Sequence, residues 1–399
     1  MSQARPSPPA RVGPDDFAAR ARALRPLLAA NAAATNAGRQ VHRDNMAAMK
    51  QAGFYAIARP ARIGGLELDL RTLHRVTSEL AQTCPSTAWV LSVTSAHTWM
   101  LGMFPEACQD EIAADDPDTV ISGTLAAQGV ARPAPGGWRL SGRWQFASGC
   151  DHARWNLIGA RVEADDPGLP QQIHVMAPTR DYAIDDTWHV LGLRGSGSKD
   201  LVLNDVFVPE HRALSTGTLF SGRSPHAVRH TSPLFLVPVA PGLAFHICGP
   251  ILGIARGAWA AHVERTRVRG DKYTGGQKAH SVGQQLRVAE ADMAIRAGAA
   301  LMEQIADVFD AYGARRALPD LAARAELKMM AAYAVRQCRD AVQLLYDGAG
   351  GGAAHDSQAL AGFFRDMQVG SHHAMVDFDG AAETWGRVAL GLPPGTTVL

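Results

Sequence analysis

Apolar side chains recur at three- and four-residue spacing through residues 15–104, a period that predicts helices separated by short breaks. Asp15-Asp16 can cap a first helix running through Leu24, Leu27 and Leu28. A short second helix is expected over 44–51, stopped by Gly53, and a third over 69–82 after the Ile63-Gly64-Gly65 turn. Pro85-Ser86 opens a helix with Ala88, Trp89, Val90, Leu91 and Val93, apolar enough to require burial. From about 120 to 208 the texture changes to strands. Pro135-Gly136-Gly137 reads as a turn, and 138–140 and 143–146, separated by Ser141-Gly142, read as a hairpin. Further strands are expected at 156–162, 173–177 and 201–208. Beyond about 255 long helices return over 282–312 and 318–346, with a last one over 359–376. Helices, then strands, then helices is an α+β order. It divides into a disordered lead-in (1–14), an N-terminal helical domain (15–119), a central β domain (120–235) and a C-terminal four-helix-bundle domain (236–399).

Charge removes several function classes. Lys+Arg total 39 against 38 Asp+Glu, so the chain offers no general field for nucleic acid or an anionic membrane. Its five cysteines are scattered without a C-x-x-C pair, which argues against a disulfide framework or zinc site and suits a reducing cytoplasm. The N-terminal segment lacks the apolar core of a signal peptide. The longest apolar stretch, 233–261, is interrupted by Pro238, Pro241, His246 and Pro250 and is not expected to be a simple membrane span. A soluble, cytoplasmic protein is expected.

Candidate chemistry begins on the strand 143–148. Alternation puts Trp144, Phe146 and Ser148 on one face and Gln145 and Ala147 on the other. An apolar surface ending in one hydroxyl suits a planar ring with a polar edge, such as an isoalloxazine; a sandwich strand closed by a serine gives the same pattern. The Gly/Ser-rich run 191–200 could offer backbone N–H groups to phosphate, but it has neither P-loop nor G-x-G-x-x-G spacing. No H-E-x-x-H occurs among the 15 histidines, and adjacent His372 and His373 would point about 100° apart on a helix, so no metal is expected. His97, on the apolar helix, is either a core residue or a base that titrates near neutrality. Arg265, Arg267 and Arg269 with Lys272 and Lys278 form either a solvated surface or a phosphate clamp.

Taken in order, Ile63-Gly-Gly65, the segment 138–155, Leu191-Gly-Leu-Arg-Gly-Ser-Gly-Ser198, Val206-Phe-Val-Pro-Glu-His211 and Phe364-Arg-Asp366 resemble the acyl-CoA dehydrogenase superfamily over about residues 15–390. Ser148-Gly-Cys-Asp-His-Ala-Arg-Trp155 is more similar to its two-component (group D) flavin-dependent monooxygenases, of the 4-hydroxyphenylacetate hydroxylase and dibenzothiophene monooxygenase type, where a dehydrogenase tends to carry Trp-Ile-Thr/Ser-Asn. The resemblance implies an acyl-CoA dehydrogenase-like fold with an N-terminal helical domain, a central β-sandwich or barrel and a C-terminal helical bundle. It also implies that a separate NAD(P)H-dependent reductase supplies reduced FMN, or FAD. Reaction with molecular oxygen would then give a flavin C4a-hydroperoxide that hydroxylates an aromatic, phenolic or amine substrate.

On the same basis Ser148 would bond the flavin N5–H, Trp144, Phe146 and Ala147 would wall the flavin, and His97 and His373 would flank the substrate. Ser122, Trp99 and His372 would contact the substrate. Arg267 or Arg269 would reach the flavin phosphate across a subunit boundary of a homotetramer, helped by Ser281 and Gln284. The competing reading is an FAD-dependent acyl-CoA dehydrogenase or oxidase. Short-chain members carry their glutamate about eight residues after the Arg-Asp pair, which falls here on Ala374; Glu264 is the conceivable substitute, and His373 stands beside the gap.

Overall fold

The computed structural model describes residues 13–116, 118–270, 275–396 and 399, so nearly all of the expected lead-in, and Lys272, lie outside the described residues. The N-terminal part contains α1 (Pro14–Gly38), α2 (Arg43–Gln51), α3 (Leu70–Ala81), α4 (Pro85–Leu101) and α5 (Glu106–Asp115). Local chemistry sets their ends. The Asp16 carboxylate accepts from Gly13 N (2.8 Å) at the start of α1, and Asp69 Oδ1 accepts from Thr72 N (2.8 Å) at the start of α3. Pro85 opens α4, where its missing N–H costs nothing. Helix α4 is buried on nearly every side because α3, the sheet and a long C-terminal helix surround it.

The strands are β1 (Ile121–Ala134), β2 (Gly137–Ala147), β3 (Trp155–Val162), β4 (Gln172–Pro178), β5 (Ala183–Asp185), β6 (Lys199–Pro209) and β7 (Ala213–Ser215). They form one mixed sheet in the order β5-β6-β2-β1-β3-β4-β7, with only β1–β3 parallel among the described pairs. The sheet encloses its own core, where Leu140, Trp144, Ile158, Val175, Leu201 and Leu203 meet. The hairpin turn lies at Pro135-Gly136, between β1 and β2, and β2 continues through Ser141-Gly142. That corrects the shorter hairpin expected around Ser-Gly, because Ser141 and Gly142 pair on either side with Val130 and Leu203.

Trp144 determines how β2 ends. Its indole crosses β1 over Gly129 and donates Nε1–H to Gly159 O of β3 (2.6 Å). A Cβ at Gly129 would overlap the Trp144 ring, so only glycine leaves this path open. Beyond Trp144 the register of β2 on β6 slips, and Phe146 takes the left-handed conformation (φ 68°). The expected alternation is thereby broken: Trp144 is fully buried, whereas Phe146 is 61% exposed.

After α6 (Thr216–Ser221) come α7 (Val239–Val268), α8 (Val282–Ala314), α9 (Leu321–Gly348), α10 (Ala359–Gly370) and α11 (Phe378–Ala389). The prolines expected to interrupt 233–261 do not break α7. Pro241 lies in its first turn, where helical N–H groups lack partners anyway. Pro250 is interior and would orphan the carbonyl four residues back, that of His246. Ser92 Oγ–H of α4 donates to that oxygen at 2.6 Å. Helix α7 is long and apolar enough to cross a membrane, but 94% of its most apolar window is buried inside the protein, as in a core helix. The helix expected over 359–376 ends at Gly370, where Ile251, Trp89 and Leu193 converge on the glycine, and α11 follows as a separate element.

Ser92→Ala is expected to leave a buried carbonyl unpaired and lower stability by about 1–3 kcal/mol in urea denaturation. In a Pro250→Ala background, which restores the helical N–H, the same substitution is expected to cost less than about 1 kcal/mol. Equal costs in the two backgrounds would refute the compensation.

Candidate active site

A cavity of about 730 Å³ opens where α4, α7, the end of β2 and the segment after α10 meet. Helix α4 contributes Trp89, Val93, Ala96 and His97, a stripe at helical spacing. Helix α7 adds Leu243, His246 and Ile247, and the sheet adds Phe146, Ser148 and the bulged stretch 123–128 of β1. Trp188, Ser196 and Ser198 come from loops, and His372 to Met375 close the side after α10.

Ser148 is held through both its backbone and its side chain. Its carbonyl accepts from Ser122 Oγ (2.8 Å), and its N–H donates to Phe146 O (2.9 Å) across the left-handed turn. Trp89 Nε1–H donates to Ser148 Oγ (3.3 Å), which also lies 2.7 Å from Ser198 Oγ; Ser198 is in turn 2.7 Å from Ser196 Oγ. The result is a chain of three hydroxyls. The loop carrying Ser196 and Ser198 is fixed by Asp366, whose Oδ1 accepts from Leu193 N at 2.6 Å. Burial pushes the Asp366 carboxyl up to about 6, although the Leu193 N–H favours its charged form. Arg365 turns outward to Asp356 (2.9 Å). The N–H groups of Leu193, Ser196, Gly197 and Lys199 are spent on Asp366, Leu193 O, Arg194 O and Gly197 O, so these four are not free for the phosphate that the Gly/Ser-rich run could have cradled.

The two histidines differ in hydrogen-bond polarity. His97 Nδ1 faces Ile121 O (3.2 Å); a carbonyl can only accept, so Nδ1 carries the proton and Nε2 is left as an acceptor. His373 Nδ1 accepts from Met375 N (3.2 Å), so in the neutral ring Nε2 carries the proton and donates. Desolvation holds both imidazoles down at about 4, and the same burial lowers His174 to about 4. Part of the His373 surface is open, but it lines the cavity, and the ring stands edge-on to Trp89 at 5.6 Å.

His97, Ser148, His373, Phe146 and His372 line the cavity together. His372 is more exposed, is not on a helix, and donates Nδ1–H to Gln368 O (2.6 Å). Four other expected contacts do not reach it. Trp144 is committed to the sheet core, and Ala147 is buried beside it. Trp99 points behind the wall and donates Nε1–H to Leu234 O (3.2 Å), while Ser122 is fully buried behind Ser148. Arg267, Arg269, Ser281 and Gln284 lie at the far end of α7 and the start of α8, away from the cavity of their own chain. There Arg265 (2.7 Å) and Arg269 donate to Ala349 O, and Gln284 Nε2–H donates to Gly348 O (2.7 Å).

Sequence reasoning missed Trp89, Trp188, His174, His246, Ser196 and Ser198. Trp89 was legible from the stripe ending at His97, and the two serines stand in the Gly/Ser-rich run. No carboxylate lines the cavity among the described residues, and Glu264 is exposed on α7. No cluster of metal-ligating side chains occurs among the described residues.

Two helical regions flanking a mixed sheet, with a cavity at their junction, define an acyl-CoA dehydrogenase architecture. The chain belongs to the acyl-CoA dehydrogenase family: its N-terminal domain model matches residues 17–111, and its C-terminal domain model matches 245–378. It is 35% identical over 381 residues to the oxygenase component of an FADH2-dependent resorcinol hydroxylase from a Rhizobium species, covering 92% of each chain. The solved structure of 3-HSA hydroxylase from Rhodococcus sp. RHA1 superposes with a TM-score of 0.90 at 30% identity, covering 96% of this chain and 98% of that one. XiaF from a Streptomyces species, solved with FADH2 and glycerol, gives 0.90 at 26% identity over 97% and 98% of the two chains. Within the family the chain is thus an oxygenase component of the flavin-dependent monooxygenases, using reduced flavin.

The buried histidines set a pH dependence of stability. Their folded values, about 3 for His74 and His246 and about 4 for His97, His174 and His373, lie below the unfolded value of about 6.5. Between those limits the unfolded chain binds more protons, so stability falls as pH drops from about 6.5 towards 4 and is flat above 7. Asp366, raised to about 6, acts in the opposite sense over part of that window. The urea midpoint is expected to fall through this range, less steeply in His97→Gln; a midpoint constant from pH 7 to 4.5 would contradict the assignment.

Proposed function

We propose that this cavity hydroxylates a phenol or a related aromatic small molecule, with the substrate hydroxyl between His97 and His373. The observation that carries the reading is a cavity with an acceptor imidazole, a donor imidazole and a serine hydroxyl, and no carboxylate among the described residues. Removing an α-proton from an acyl thioester needs a carboxylate base, and both Ala374 and Glu264 fail to supply one.

The residues suit a flavin ring. Phe146 presents an exposed ring beside Ser148, edge-on to Trp188 at 6.0 Å, an aromatic wall with one side free. Bound there, reduced flavin supplies two electrons and the oxygen chemistry. Ser148 Oγ, held in place by the hydroxyl chain and Trp89, would accept a hydrogen bond from the N5–H of a reduced flavin bound there and so help retain that proton. His97 Nε2 accepts a hydrogen bond from the substrate hydroxyl. Because its conjugate acid lies near 4, far below a phenol at about 10, His97 polarises the O–H in the ground state and takes its proton only as the ring reacts. His373 holds a proton at Nε2, facing the cavity. Trp89, Phe146 and Trp188 exclude water.

The chain would work as three units (15–119, 120–235 and 236–399) in a cytoplasmic homotetramer, with reduced FMN or FAD delivered by a separate NAD(P)H-dependent reductase. Arg267 or Arg269, with Ser281 and Gln284, would serve the flavin phosphate of a neighbouring subunit. Support comes from Val282, Leu286 and Met293, exposed apolar residues on one face of α8 beside these groups, as a covered interface requires. No membrane or nucleic-acid partner is proposed.

His373→Ala is expected to retain flavin affinity yet lower the ratio of hydroxylated product to hydrogen peroxide by about tenfold or more. Ser148→Ala should raise peroxide release per flavin consumed while leaving substrate affinity unchanged. Undiminished product yield in either variant removes that residue from the mechanism.

A further inference from the structure

Five histidines line the cavity among the described residues, and four have a ring nitrogen engaged. His97 bonds Ile121 O, His372 bonds Gln368 O, and His373 bonds Met375 N. His174 uses both nitrogens, on Leu125 O (3.0 Å) and Thr216 Oγ1 (3.1 Å). His246 is the exception. It is only 5% exposed, and its ring has no hydrogen-bond partner among the described residues.

The His246 ring is nevertheless held. Ser92 fixes its carbonyl, Pro250 lies one turn on, and its ring packs at 5.8 Å against Trp99, itself tied to Leu234 O. Its cavity-lining neighbours on α7, Leu243 and Ile247, have no polar side-chain atoms. An unpaired polar group in such surroundings is costly unless an occupant supplies its partner. His97 of α4 and His246 of α7 line the same cavity, so the α4–α7 wall carries two recognition points.

We infer that His246 is a specificity-determining residue: it hydrogen-bonds a second, neutral oxygen of the substrate, remote from the hydroxyl held by His97. This rests on the phenol-binding reading above and narrows it to phenols bearing a second hydroxyl or a carbonyl. A neutral imidazole has one N–H and one lone pair, so it serves either group. It brings no charge to pair with a carboxylate at that end.

Equilibrium binding of phenol, catechol, resorcinol and hydroquinone to the flavin-free full chain, read by calorimetry, tests this. In the wild type one dihydroxybenzene is expected to bind about tenfold or more tightly than phenol. His246→Phe should abolish that preference while changing phenol affinity little, and His246→Gln, which can still hydrogen-bond, should keep part of it. A preference that survives in His246→Phe, as when only water satisfies the ring, overturns the inference, and so does a wild type with no preference. His97→Ala separates the two levels, because it should weaken phenol itself. If it does not, the phenol-binding reading fails and His246 falls with it; if it does while His246→Phe keeps the preference, only the second contact is lost.

Discussion

The site depends on how α4 crosses α7. His97 and His246 stand on these two helices, and their alignment turns on the buried contact from Ser92 to the His246 carbonyl. A proline in the middle of a 30-residue helix would ordinarily kink it or leave an oxygen unpaired. Here the deficit becomes an interhelical hydrogen bond. It fixes the height of α7 relative to α4 and brings His246 to the wall that His97 occupies. On its other side α7 packs closely on α3, where a Cβ at Gly253 would meet the Ser78 carbonyl.

The sheet contributes by a different device. Trp144 spans three strands through the gap left at Gly129, and β2 pays for the resulting slip with a left-handed phenylalanine. Such a conformation costs an ordinary residue roughly 1–2 kcal/mol and persists only where packing imposes it. Its effect is to turn the Phe146 ring out of the core and to bring Ser148 back towards Trp89 and Ser198. An aromatic face and an anchored hydroxyl therefore meet at one rim of the cavity.

Electrostatics completes the arrangement by subtraction. Burial keeps His97 and His373 neutral near pH 7, so each acts through a fixed tautomer rather than a charge, and backbone groups choose the tautomer. Asp366, the buried carboxyl nearby, holds the serine loop to α10 and does not line the cavity. An oxygen-activating site gains from the lack of a lining carboxylate among the described residues and from the low proton affinity of His97 and His373, because adventitious proton delivery favours peroxide release over transfer to substrate.

Much of this was legible in the chain itself. Periodicity and caps determined the helix–strand–helix order: Asp69 starts α3, Pro85 starts α4, and the apolar run after it is buried as its composition demands. Alanine at 374 beside His373 already set the site apart from a carboxylate-based one. What the sequence left open were directions decided by distant residues. Trp144 leaves the expected face because Gly129, on another strand, gives it a path. Trp99 turns outward because a carbonyl at Leu234 awaits its N–H. Helix α7 survives Pro250 because a serine more than 150 positions away takes the stranded oxygen, and α10 stops at Gly370 because three other elements converge there. A local pattern records which residues prefer to be buried or extended. Which way a side chain turns, and which polar group finds a partner, is settled only when remote segments pack together, and the cavity is made of those choices.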